Sequence, residues 1–109
     1  MKYRVDLSDD FKREAKRLFK RYPSLKQELF FLGKELENNP TMGTPLGNNV
    51  YKIRISISSK GRGKSGGARI ISYVLVLKEA VLLLTIYNKG EKNSISDKEI
   101  KELIKQYVL

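Results

Sequence analysis

The sequence predicts an α+β fold, and three observations carry the prediction. Two stretches with helical spacing of apolar residues follow a short alternating segment at the start. Three strand-like runs stand together between residues 50 and 87, and a capped helical stretch closes the chain. Helices and strands gathered into separate blocks favour helices packed on an antiparallel sheet over alternation around a parallel one. At 109 residues the chain fits one domain, 1–109, and a second compact core is not expected.

Tyr3 to Leu7 alternates and reads as a strand with Tyr3, Val5 and Leu7 on one face. Ser8 offers a side-chain oxygen as N-cap, and Asp9 and Asp10 suit the positive end of a helix dipole. Phe11, Ala15, Leu18, Phe19 and Tyr22 then follow at helical spacing, giving a helix over 8–21 that Pro23 ends. Ser24 with Gln27 forms the pattern of a capping box. Leu25, Leu29, Leu32 and Leu36 make the stripe of the second helix, widened by Phe30 and Phe31, and Asn38-Asn39-Pro40 stops it. These two helices should form a hairpin. Residues 38–49, rich in Pro, Gly and Asn, read as a loop.

Val50 to Ile57 alternates, with Tyr51, Ile53, Ile55 and Ile57 on one face and Lys52, Arg54 and Ser56 on the other. Ser58 to Gly67 is a glycine-rich turn. Arg69 to Leu77 and Val81 to Tyr87 are apolar on both faces, as central strands are, with Lys78-Glu79-Ala80 between them. Ser96 with Glu99 is a second capping box, ahead of Ile100, Leu103, Ile104, Tyr107 and Val108 at helical spacing. The expected order is an N-terminal strand, a two-helix hairpin, a three-stranded antiparallel meander and a C-terminal helix. The helices should cover one sheet face, leaving the other to carry Lys52 and Arg54.

Composition narrows the chemistry. Ten aromatics and 40% hydrophobic residues suffice for a core, so disorder is not expected. No apolar run, Ala80 to Leu84 included, approaches the roughly 20 residues of a membrane span, and the alternating start has no signal-peptide core. With no cysteine there is no disulfide framework. A cytoplasmic protein without membrane association is the expectation. The net charge of +10 points to a polyanionic partner. That charge is concentrated: no acid occurs between Glu37 and Glu79, where Lys52, Arg54, Lys60, Arg62, Lys64, Arg69 and Lys78 lie. The first helix adds Lys12, Arg13, Lys16, Arg17, Lys20 and Arg21, either a further contact for such a polyanion or a plain solvated face diluted by Asp10 and Glu14.

The absence of His and Cys removes His-dependent triads, thiol nucleophiles and common zinc sites, so no metal or cofactor is expected. GRGKSGG resembles a phosphate-binding P-loop only in part: Ser58 stands where that motif needs Gly, and a strand follows Ser65 where it needs a helix. What remains is cationic. A hairpin from Lys52 to Arg69 should gather Lys52, Arg54, Lys60, Arg62, Lys64 and Arg69 around one concavity, with glycines allowing close approach of phosphate. Clustered positive charge lowers a lysine's pKa, so one member can act as a base while others neutralise charge and protonate a leaving oxygen. RNA carries its own nucleophile, the 2′-hydroxyl, and needs only those three services. Each residue also has a plainer reading. Lys52 and Arg54 suit the wet face of an edge strand, Lys60, Arg62 and Lys64 a solvated loop, and Tyr87 the core.

YKIR (51–54), KGRGKSGGARIISYVL (60–75) and LLTIYNK (83–89), in this order, resemble the RelE/HigB superfamily of bacterial toxins. The likeness is closest to the HigB-like branch with its GG-x-R strand start. The resemblance covers about 50 to 107 and implies the RelE-like fold, a ribosome-dependent mRNA endonuclease, and a cognate antitoxin, a helix-turn-helix or other small DNA-binding protein. It makes Lys52 the general base, Arg54 a phosphate contact, Arg69 the transition-state arginine and Lys89 a basic residue near the scissile phosphate. For the family's late acid–base tyrosine the resemblance leaves two readings, Tyr87 as substitute or lysines alone, since Tyr107 lies on the apolar stripe of the last helix. Lys60, Arg62 and Lys64 become the RNA grip. Two rivals stay open: a ParE-like toxin that inhibits DNA gyrase by binding, and a non-catalytic RNA- or ribosome-binding module.

Overall fold

The computed structural model describes residues 2–60 and 66–108. Its elements are β1 (Arg4–Leu7), α1 (Asp9–Arg21), α2 (Leu25–Asn38), β2 (Thr44–Gly47), β3 (Val50–Ile55), β4 (Ala68–Leu75), β5 (Ala80–Asn88) and α3 (Asp97–Tyr107), with 3-10 turns at Ser58–Lys60 and Val76–Lys78. The strands form one sheet in the order β1-β5-β4-β3-β2. β1 runs parallel to β5 and every other neighbour is antiparallel, so the expected meander is present as β3-β4-β5. Among the described residues no helix is long and apolar enough to cross a membrane.

The caps at both ends of the chain form as read. The Ser8 hydroxyl accepts from Phe11 N at 3.0 Å and donates to Leu84 O at 2.6 Å, which caps α1 and pins its start to β5. Ser96 and Glu99 make both bonds of a capping box at the start of α3. The box expected at Ser24 and Gln27 does not form. Ser24 is already helical in backbone, and its hydroxyl turns to Glu28 and Ser59, tying α2 to the 3-10 turn after β3.

Three further expectations change. The segment 38–49 is not all loop: Thr44–Gly47 pairs with β3 through a two-residue turn at Asn48-Asn49, both with positive φ, the geometry of a type I′ hairpin. Phe30 and Phe31 do not widen the buried stripe of α2; they are exposed. The helices also divide between the two sheet faces. Phe11, Leu18, Leu25, Leu32 and Leu36 of α1 and α2 pack on Ile53, Ile70, Val81 and Leu83, whereas Ile100, Leu103 and Ile104 of α3 pack on Val50, Ile71 and Leu84 from the opposite side. The face carrying Lys52 and Arg54 is therefore partly roofed by α3, because the alternation of β4 and β5 leaves apolar residues on both faces.

Candidate functional site

Strand register assembles the site. Arg54 is paired with Arg69, and Arg69 with Tyr87, so the three form one row across β3, β4 and β5. Residues directly opposite in an antiparallel ladder have Cβ atoms about 4.5–5.5 Å apart. Lys52 lies two residues from Arg54 on the same face of β3, opposite Ile71. The row sits on the α3 side of the sheet, beyond the apolar cluster that α3 covers.

Each member of the row has a distinct environment. Arg54 is exposed and Lys52 half-buried, while Arg69 is 4% exposed and donates to the Ala68 carbonyl at 3.2 Å. Burial, and then the facing Arg54 guanidinium, pull the Arg69 pKa below the usual arginine range. Tyr87 is buried, and among the described residues its hydroxyl has no hydrogen-bond partner. Burial raises its pKa against the opposing pull of Arg69 and Lys92, so the hydroxyl stays protonated at neutral pH. Tyr87 also lines a cavity of about 420 Å³ that runs between the start of α1 and α3.

Gly67 shapes the entrance to β4. A side chain there would come within 1.9 Å of the Ile55 carbonyl, so only glycine lets the strands close immediately before Ala68 and Arg69. The second glycine of the pair thus serves sheet closure two residues ahead of Arg69.

Lys60 and Lys89 turn away from the row. The Lys60 ammonium donates to Gly66 O at 2.6 Å and Asn88 Oδ1 at 2.7 Å and lies 5.5 Å from the Tyr22 ring centroid, on the α1 side of the sheet. Asn88 is buried and donates in turn to the Tyr22 hydroxyl at 3.0 Å. Lys89 extends the β5 line through a backbone bond to Gly67 O, but its ammonium turns away to Asn93 O at 2.7 Å. Arg62 and Lys64 lie outside the described residues. Among the described residues, the gathering expected from the hairpin keeps Lys52, Arg54 and Arg69 on one face, while Lys60 faces the other side. Sequence reasoning missed Lys92: its ammonium stands 6.0 Å from the Tyr87 ring centroid and pairs with Glu99. It lies in a connection without periodicity, so no pattern marked it.

The basic face of α1 is partly neutralised. Arg13 pairs with Asp10 and Glu14, Arg17 with Glu14 and Glu91, and Arg21 with Glu91. Among the described residues no group of three or more Asp or Glu side chains is placed to hold a metal ion.

Solved structures of similar shape share this fold. An E. coli RelE double arginine-to-alanine mutant in the free state superposes with a TM-score of 0.67 at 18% identity, covering 99% of this chain and 100% of that one. The same mutant in complex with an antitoxin RelBc peptide gives 0.63 at 17% identity, covering 99% and 100%. A chain of the intact E. coli RelBE toxin–antitoxin complex gives 0.55 at 20% identity, covering 79% of this chain and 95% of that one. At these identities the structures speak for the fold. The profile described as the RelE toxin of the RelE/RelB toxin–antitoxin system matches residues 4–107. With that match spanning nearly the whole chain, this protein belongs to the RelE toxin family.

Proposed function

We propose that the chain is a ribosome-dependent mRNA endonuclease, held inactive by a cognate antitoxin and cleaving by 2′-hydroxyl attack without a metal ion. The observation that carries the reading is the cross-strand row Arg54–Arg69–Tyr87 with Lys52 on the same face. It places two guanidinium groups beside a protonated phenol, the parts that in-line transfer at a phosphodiester requires. The Lys52 side-chain nitrogen takes the proton from the 2′-hydroxyl as that oxygen attacks the adjacent phosphorus. Arg54 holds a non-bridging oxygen, and Arg69 neutralises the charge that builds on the pentacoordinate phosphorus. Tyr87 gives its proton to the departing 5′-oxygen, leaving a 2′,3′-cyclic phosphate and a 5′-hydroxyl. We assign Arg62 and Lys64 to the RNA grip, with Lys60 setting the base of their segment and adding to the field. Lys89 stands close enough in sequence to Tyr87 to serve the flanking phosphate once released from Asn93. On the GGAR strand start (66–69) we assign the chain to the HigB-like branch.

The test is a translating extract supplied with pure protein, with transcript ends mapped. Cuts within ribosome-bound mRNA that disappear with Lys52→Ala or Arg69→Ala are expected, and intact transcripts would overturn the reading. A supercoiling assay run alongside should leave gyrase unaffected; inhibition there would favour a ParE-like toxin.

A further inference from the structure

Past the end of β2 the sheet has an open flank. β2 pairs with β3 only as far as Lys52, opposite Thr44, and among the described residues no strand continues along Ile53–Ile55 on that side. Glu28, Phe31 and Glu35 of α2, with Met42, line a cavity of about 260 Å³ there. Arg54 lines it too while belonging to the cationic row, so cavity and row are continuous around the edge of β3.

Two side chains of this cavity are not used by the fold. Phe31 is 55% exposed and meets only Phe30 among the aromatic rings of the described residues, edge-on with centroids 5.9 Å apart. Aromatic rings beside a backbone-binding cation are how proteins hold unpaired bases. Glu35 is exposed, and among the described residues its carboxylate has neither an ion pair nor a hydrogen bond. Glu28 is committed elsewhere: it accepts from Ser58 N at 2.8 Å, Ser58 Oγ at 2.7 Å and Ser24 Oγ at 3.1 Å.

The chemistry of these groups selects the occupant. Two carboxylates repel a second phosphate, whereas a nucleobase brings a flat face to Phe31 and N–H donors to Glu35. An ionised carboxylate only accepts. It therefore favours a base with an exocyclic amino group, as with N4 of cytosine, over uracil, whose one free ring N–H lies between two carbonyl oxygens. The proposed mechanism fixes the direction. The 2′-hydroxyl meets Lys52 on β3 and the departing 5′-oxygen meets Tyr87 on β5, so the RNA crosses from β3 to β5 in the 5′-to-3′ sense. A cavity outside β3 then lies upstream of the cut. We propose that it is a nucleobase subsite for the RNA upstream of the scissile phosphate, with Phe31 as stacking platform and Glu35 selecting amino-bearing bases. The inference rests on the endonuclease reading above.

The test titrates the full chain against fluorescent oligocytidylate and oligouridylate of equal length, 2′-O-methylated so that neither can be cut, and reads anisotropy. The wild type should bind the cytidine oligomer about fivefold or more tightly, the lower end of what one specific base contact contributes. Glu35→Gln should bring the two affinities within twofold, because an amide both donates and accepts. Phe31→Ala should weaken both oligomers by about fivefold or more while keeping their ratio, and Phe31→Tyr should restore them. Equal wild-type affinities overturn the subsite. So does a ratio that survives Glu35→Gln, which would reduce Glu35 to its charge, or affinities that survive Phe31→Ala. Uncut transcripts in the translating extract strike at the endonuclease reading instead, since the oligomers report binding without cleavage.

Discussion

The guanidinium of Arg69 is nearly buried and faces a second guanidinium across the ladder. Like charges placed directly opposite in a sheet destabilise it, and burial adds to the cost of keeping Arg69 charged. A phosphate bound there, as proposed, would relieve both tensions. Arg69→Ala should therefore lower cleavage by about 10²-fold or more, the usual cost of losing a charge-stabilising group. Its melting temperature should stay within about 5 °C of wild type, the shift made by ~1 kcal/mol in a domain of this size. Calorimetry beside an end-mapping assay checks both. Tyr87→Phe separates chemistry from packing in a different way. The hydroxyl it removes is buried without a partner among the described residues, so stability should hold or rise by up to about 1 kcal/mol. Cleavage should nonetheless fall by about 10²-fold if the phenol is the acid; an unchanged rate would remove Tyr87 from the proposed mechanism. Arg69 was legible because a guanidinium breaks an apolar run directly after two glycines. Its alignment with Arg54 and Tyr87 was not, since register depends on where the hairpins turn.

At the scale of elements, what the sequence revealed and what it hid have physical causes. α1 and α3 were readable because their caps are local and their stripes regular, and both caps form. β2 was hidden by Pro45 and Gly47, which suggest loop, although Asn48-Asn49 was the I′ turn signal that could have revealed it. The side on which α3 packs was unreadable because β4 and β5 are apolar on both faces. Gly67 is the backbone position on which the β3–β4 junction depends: Gly67→Ala should cost about 1–3 kcal/mol as an overpacked contact and displace the amide resonances of Ala68 and Arg69. The turn after β5 is held to α1 through Glu91. The hydrogen bond from Arg17 is the main reason the Glu91 pKa lies below the usual carboxylate range. A depressed folded-state pKa contributes stability above the unfolded pKa, and that contribution is lost as pH falls through the folded value. Both partners are substantially exposed, so the contribution should be only about 0.2–1 kcal/mol. Glu91→Gln should lower stability by that amount at pH 7 and converge with wild type at acid pH. A constant difference between their unfolding curves across that range would contradict the assignment.

Over the whole molecule, a net charge of +10 is less informative than its placement. Arg13, Arg17 and Arg21 share Asp10, Glu14 and Glu91, so the arginines of α1 add little net field. Among the described residues, the cations of α1 without acidic partners are Lys12, Lys16 and Lys20, whereas the α3 face holds Lys52, Arg54 and Arg69 on fixed strands. A catalytic toxin and a passive RNA-binding module predict different responses to removing them. For a passive module, each lost cation should weaken RNA binding by a similar small step and reduce the salt slope by about 0.7 per phosphate contact on a single strand. For the enzyme, Lys16→Ala and Lys20→Ala should change binding in that graded way while cleavage of bound RNA keeps its rate. Lys52→Ala and Arg54→Ala should each remove a comparable increment of binding yet depress single-turnover cleavage by about 10²-fold or more, because proton transfer and charge neutralisation act in the transition state. Salt titrations of affinity, paired with single-turnover rates at saturating protein, resolve the two. Equal, purely binding-level effects at all four positions would assign the row to recognition and leave the chemistry to another site.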